Sequence, residues 1–293
     1  MKRKEEYIAA KIANDCLDDM KMSASTPIDE IPDRILKLHP EYDIQSEAMI
    51  NTITGCVVFI GYLKTRQAFK LHPVLVHELI AQTDLAFAVQ NLHLPYNDMY
   101  FDIASSHISI DNKEIVGVYV HNELSTQQLA FIALVKVGKN DVILMHTCMD
   151  YSSGLPINEL IHNITSGYDN EQIFAKTIFA ILSYISSDEP DIEDKGREIS
   201  IRSYGKQKRP SATRLWNVGY RYVKEYQKIL GHEPTIEEIK EISKNSKNHN
   251  SPRRHLRAAH WHTYLYGPKK SKRKVLWYKL AGLVRVMKST RFI

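Results

Sequence analysis

The sequence predicts an α+β fold: N-terminal helices, a central mainly antiparallel sheet, and a C-terminal basic helix plus β-hairpin module. Three observations predict it. Before Pro95, apolar residues recur at helical spacing. From Met99 to Met149, short runs rich in Val, Ile and Tyr follow one another with turn chemistry between them and no helix-length connection, which favours antiparallel pairing. From residue 201 onward, 23 Lys/Arg stand against 5 Asp/Glu, whereas residues 1–200 hold 16 and 29. The overall charge of +5 therefore conceals an acidic body and a basic end.

In chain order, residues 5–22 carry Ile8, Ile12 and Leu17 at helical spacing, and the stretch PIDEIPDRI interrupts the pattern. Tyr42 to Phe69 reads as a pair of helices, or one long helix broken near Gly55 or Gly61. Pro73 opens a further helix, because proline is tolerated in a first turn. The runs MYFDIA, ISI, IVGVYVHN, LAFIALVKV and DVILMHTCM are strands, and DNK and Gly138 to Asp141 supply turns. Pro156–Thr165 and Asn170–Ser187 are helical, the latter with Ile173, Thr177, Ala180, Ile181 and Tyr184 on one face. Residues 188–212 are polar and change charge sign part-way, as a linker or flexible loop does. Arg214–Leu230 reads as an amphipathic helix, with Leu215, Val218, Tyr222 and Ile229 inward, and Pro234–Ser243 as a short one. The expected division is an acidic body over 1–187, a linker over 188–212 and a basic helix–hairpin module over 213–293.

Several classes are disfavoured. Cys16, Cys56 and Cys148 form no CxxC pair, against a zinc ribbon, an iron–sulfur cluster or a disulfide framework. The opening MKRKEEYIAAKIANDC lacks the apolar core of a signal peptide, and Cys56–Leu63 is too short to span a bilayer. The expectation is a cytoplasmic protein with no membrane partner. No GxGxxG, Walker loop, GxSxG elbow or HExxH occurs, so no cofactor is expected.

The segment Pro252–Lys274, PRRHLRAAHWHTYLYGPKKSKRK, contains no carboxylate. Arg253, Arg254, Arg257, Lys269, Lys270, Lys272, Arg273 and Lys274 offer charge to phosphates, and Trp261, Tyr264 and Tyr266 offer faces on which bases stack. His255 joins that surface, and Arg214 with Arg221, seven residues apart, extends it along the expected helix. Exposed rings suit unstacked bases, so single-stranded or messenger RNA is the expected partner. The HWH stretch reads as a helix or a strand. Its alternation favours a strand from about Ala259, after a short helical turn at Pro252–Leu256 and before a return strand through VLWYKL. On that strand His260 and His262 lie about 7 Å apart. Paired imidazoles can serve as general base and acid in metal-free RNA cleavage, with Arg257 stabilising the phosphorane charge. The alternative is that they only position RNA. The spacing H-x4-H-x-H has no carboxylate or cysteine near it, against zinc. Asp188, Glu189, Asp191, Glu193 and Asp194 read as a magnesium site or, more simply, a solvated loop.

HLRAAHWHTYLYGPKKSKRKVLWYKL resembles the C-terminal signature of the second type V-A anti-CRISPR family, in which a His-Trp strand, a Gly-Pro turn, a basic tip and a return strand ending in Trp follow one another. ILSYISSDEPDI, RLWNVGYRYVKEY and LPYNDMYFDI followed by IVGVYVHNE are similar to other stretches of that family. The resemblance implies an inhibitor of a type V CRISPR effector that acts on the effector's message or nascent chain. An RNA-binding end and a peptide-recognising body fit that role. A ribonuclease using His260 and His262, and a DNA-binding regulator of a mobile element, are the alternatives from other classes.

Overall fold

Gln67–Leu71 (QAFKL) forms β1, the strand on which the sheet is organised, and it pairs in parallel with β2 (Asp98–Asp102) on one side and β8 (Gln207–Val218) on the other. The computed structural model describes residues 8–43, 45–81, 89–110, 112–138, 142–164, 169–204, 207–245, 256–257, 260–266, 268, 272–278 and 281–282. The remaining strands of the sheet are β4 (Lys113–Glu123), β5 (Gln128–Lys136), β6 (Val142–Asp150) and β7 (Ile192–Tyr204), in the order β6-β5-β4-β2-β1-β8-β7. The short β3 (Ser109–Ile110) pairs with β4. All pairings except those of β1 are antiparallel, so the fold is α+β with a mainly antiparallel sheet, as expected. The expected DNK turn joins β3 to β4, with Asn112 at φ 62.

Register decides which side chains meet. Phe69 lies across from Phe101 and Trp216, and Ala68 across from Tyr100 and Leu215, so alternate residues feed two separate cores. One core packs Ala68, Tyr100, Tyr119 and Ile132 against α1 (Ile8–Asp19), α2 (Ile31–Leu38) and α3 (Glu47–Thr65). The other packs Phe69, Phe101, Val118 and Phe131 against α4 (Pro73–Ala81), α5 (Ile157–Ile164), α6 (Asp169–Ile185), α7 (Tyr220–Leu230) and α8 (Ile236–Asn245). The sheet is thus covered on both faces.

Local chemistry sets the helix ends. Ser46 caps α3 by accepting the Met49 N–H at 3.2 Å. Arg66, left-handed at φ 50, ends α3 and donates its N–H to Tyr62 O. Thr235 and Glu238 form a reciprocal capping box on α8. Pro32 sits in the first turn of α2, where its missing N–H costs nothing, so PIDEIPDRI enters a helix rather than only breaking one.

Four expectations change. The helix expected to reach Phe69 stops at Thr65, and the next residues are the strand β1. That helix, α3, runs unbroken through Gly55 and Gly61, and it is long and apolar enough to cross a membrane by length and composition. Its apolarity has a local cause: it lies between the sheet and α1, with Phe59, Ile60 and Tyr62 buried. Residues 192–204 and 207–218, expected as linker and then helix, are the antiparallel pair β7–β8. Arg214, Leu215 and Trp216 are therefore on a strand, and the helix starts at Tyr220.

At the C-terminal end the expected hairpin is present. β10 (His260–Tyr266) pairs antiparallel with β11 (Lys272–Tyr278), Trp261 across from Trp277, and β9 (Leu256–Arg257) pairs with β12 (Ala281–Gly282). The helical turn expected at Pro252–Leu256 falls largely outside the described residues, and Leu256 belongs to β9.

Candidate functional site

Because β1, β2 and β8 are parallel, their C-terminal ends gather at one end of the sheet, the position where open α/β sheets place ligand sites. There the chain Val218-Gly219-Tyr220-Arg221 leaves β8 and starts α7. Gly219 is left-handed at φ 83, and a Cβ on it would lie 2.6 Å from Leu75 Cδ2, so conformation and space both require glycine. Having no side chain, Gly219 cannot cap α7. Asp191 does so from the start of β7: its Oδ2 accepts the Tyr222 N–H at 2.7 Å and its carbonyl accepts the Gly219 N–H at 2.9 Å. Its Oδ1 accepts Arg221 Nε–H at 2.6 Å. Asp191 is 4% exposed and Arg221 62%, so a buried anion is held by an exposed cation and a helix N-terminus. The Asp-Ile and Val-Gly-Tyr-Arg motifs, distant in sequence, meet at this junction.

Behind it lies a second buried charge. Glu78 of α4 is fully buried and accepts the hydroxyls of Tyr222 and Tyr226, the latter at 2.7 Å. Burial, and then the charge of Glu78, push both phenols well up, so they stay protonated donors. His72, at the end of β1, accepts the Val74 N–H through Nδ1 at 3.3 Å. Its Nε2 faces Glu233 at 3.3 Å, and its ring meets Tyr220 edge-on at 5.0 Å. Burial holds its pKa below 6.5, so the neutral Nε2–H form fits both contacts.

Arg214 donates to Asp194 at 2.5 Å and lies 4.5 Å over the Trp216 ring. That ring stacks on Phe69, and its Nε1–H donates to Gln67 at 2.8 Å. Arg214 and Arg221 therefore do not share one helical face: a strand end and Gly219 separate them, and each is paired with a carboxylate. The acidic stretch is a solvated loop only in part: Asp188 and Glu189 are exposed in a bend, whereas Asp191 is buried and Glu193 and Asp194, on β7, pair with Lys195 and Arg214. Among the described residues, no three His, Cys, Asp or Glu side chains are grouped to hold a metal.

The hairpin register sets Tyr264, Leu265 and Tyr266 of β10 opposite Lys274, Arg273 and Lys272 of β11, whereas His260, Trp261 and His262 lie opposite Tyr278, Trp277 and Leu276, and Arg257 lies on β9. Arg253, Arg254, His255, Lys269 and Lys270 lie outside the described residues. Sequence reasoning missed Glu78, although a lone carboxylate inside PVLVHELIA is a signal for a buried partnered charge. Other chemistry is poorly supported. Burial pushes the Cys16 and Cys56 thiols up to about 11, away from nucleophilic use. A groove lined by Val89, Gln90, Leu94, Asn122, Leu124 and Tyr151 holds about 200 Å³, less than the roughly 300–1,000 Å³ of small-molecule sites.

The family model AcrVA2-like, the anti-CRISPR type V subtype A2 family, matches residues 69–279. A solved structure described as the crystal structure of AcrVA2 is similar at a TM-score of 0.59 and 19% identity, over 94% of this chain and 95% of that one. No curated protein matches. The family match begins within β1 and ends just after β11, so it takes in the Asp191–Arg221 junction, the Glu78 cluster and the hairpin.

Proposed function

Since the chain belongs to the type V subtype A2 anti-CRISPR family, we propose that it suppresses a type V CRISPR effector in the cytoplasm by lowering the effector's production. The C-terminal basic module binds the effector's messenger RNA, and the acidic body recognises the effector polypeptide as it emerges. The observation that carries this reading is the charge partition, 23 Lys/Arg against 5 Asp/Glu after residue 200 and the reverse excess before it. Polyanion binding needs a contiguous cationic surface. In Pro252–Lys274 two groups of cations flank a run of rings and no carboxylate interrupts them, which suits an unpaired strand of RNA.

The test is made in cells that carry the effector with its message under a foreign promoter. With this protein present, effector message and effector protein both fall, by quantitative reverse transcription and immunoblot. Normal effector levels with lost interference would instead mean that the assembled complex is blocked, and the proposal fails. Purified protein incubated with the message separates the enzymatic alternative. Cleavage that disappears in His260→Ala and His262→Ala would assign a ribonuclease.

A further inference from the structure

The sheet has two edges, and they are built differently. At one edge β7 carries Glu193, Asp194 and Lys195 directly after its first residue, and its register with β8 shifts around a left-handed Gly196. Charges and bulges stop an edge strand from pairing with another chain. At the other edge β6 reads Val-Ile-Leu-Met-His-Thr-Cys-Met-Asp, nine residues without Lys, Arg, Pro or Gly. It runs in unbroken register with β5, from Gln128 opposite Asp150 to Lys136 opposite Val142. Among the described residues no strand pairs with its outer side. By the rules that govern edges, β6 is a pairing template left open.

The helical layer on one face reaches over that opening. Gly61 of α3 packs against Asp98 of β2, Phe59 against Tyr119 of β4, and Gly55 against His146 of β6. Towards its N-terminus α3 thus crosses β2, β4 and β6 in turn, and residues 47–54 continue for about 12 Å at helical rise. Ile50, on that overhang, is 52% exposed. On the other face Phe179 of α6 packs edge-on against Phe131 of β5, the strand next to β6. Ile173, in the N-terminal part of α6, is 50% exposed. These are two of the five large apolar side chains that stand exposed among the described residues.

We propose that β6 is a docking edge for one extended polypeptide segment of another protein, which adds a strand to the sheet against the overhanging end of α3. A second copy of this chain fits less well. Two β6 edges paired about a two-fold axis would bring the overhanging ends of the two α3 helices against each other. A single strand carries no layers of its own. Its chemistry follows from its cover: a strand sheltered by α3 on one face is apolar at every second position, rich there in Val, Ile and Phe, and without Pro. This inference deepens the polypeptide half of the proposed function and rests on it only for which protein supplies the segment.

The test starts from a displayed library of random twelve-residue peptides selected on the full chain. Pro-free sequences with Val, Ile or Phe at every second position are the expected enrichment. The best peptide is then resynthesised with an N-methyl group at each position in turn. Strand addition uses every second peptide N–H, so affinity falls about tenfold or more at alternate positions and little at those between. Cys148→Lys on the exposed side of β6, and separately Ile50→Lys, weaken binding similarly while the melting temperature stays within a few degrees. No enrichment, N-methyl sensitivity without alternation, or binding indifferent to both variants would overturn the proposal. So would a doubling of mass in sedimentation that Cys148→Lys abolishes, since the edge would then belong to a second copy. Peptides tiling the effector are added as competitors. If the selected peptide behaves as expected and none competes, the docking edge stands and the effector reading falls.

Discussion

Asp191 answers three donors at once, the Tyr222 and Gly219 amides and the Arg221 guanidinium, and only Arg221 can turn to water instead. Removing the two ends of this ion pair therefore has unequal effects. Asp191→Ala leaves a buried helix N-terminus without its acceptor and should cost roughly 3 kcal/mol. Arg221→Ala removes a mostly exposed partner and should cost under about 1 kcal/mol after solvent screening. Urea unfolding of both variants checks the order, and equal losses would mean that the pair, rather than the cap, holds the junction. Histidines add a pH dependence. Burial lowers the pKa of His72 and His146 below 6.5 in the folded chain. The unfolded chain therefore binds protons first as pH falls, so their contribution is whole above about pH 6.5 and is lost below it. His232 shifts the other way through Glu238, but that pair lies at the surface, where solvent screens it, and does not set the sign. The melting temperature should drop between about pH 7.5 and about pH 5.5, and His72→Gln with His146→Gln should flatten that drop.

At the scale of elements, periodicity identified what was long or cleanly alternating. α1, α4, α6 and the run of strands β2, β4, β5 and β6 all fall where apolar spacing puts them. β1 was hidden because its five residues follow an apolar helix with no Gly or Pro between, the break being a left-handed Arg66 that no composition rule flags. β7 and β8 were hidden because an edge strand with its neighbour is polar and charge-rich, which on paper looks like a linker. Of the candidate site, the hairpin and the identity of the Val-Gly-Tyr-Arg motif were legible, while the pairing of Asp191 with Arg221 needed the fold to bring β7 beside α7. The junction also makes the strongest element-level prediction. Gly219→Ala forces a left-handed alanine, costing about 1–2 kcal/mol, and drives its Cβ into Leu75 between β8 and α4. Gly231→Ala, also left-handed at φ 82 but in open space, carries the first cost without the second. Calorimetry should find Gly219→Ala the less stable of the two, and reversal of that order would show that α4 and α7 are not tightly packed there.

Over the whole molecule the charges divide into a body of 16 basic and 29 acidic residues and a C-terminal third of 23 and 5. Such a chain attracts its own end, and Arg214–Asp194 and Arg221–Asp191 are local cases in which a cation of the last third is already matched by a carboxylate. Those two arginines have less to gain from a phosphate than cations whose neighbours in sequence are uniformly basic. Lys272, Arg273 and Lys274, which open β11 opposite Tyr266, Leu265 and Tyr264, are therefore the better test of the RNA reading. Each cation that neutralises a phosphate of a single strand contributes about 0.7 to the slope of log affinity against log salt. Changing all three to Ala should lower that slope by about 2 and weaken binding most at low salt. Arg214→Ala should leave the slope nearly unchanged while loosening Trp216 from its stack on Phe69. The measurement is a fluorescence anisotropy titration of a short labelled RNA over a range of potassium chloride. If the triple variant keeps the parent slope, or if duplex DNA binds more tightly than the single strand, the basic end is not an RNA-binding surface and production control must reside elsewhere in the chain.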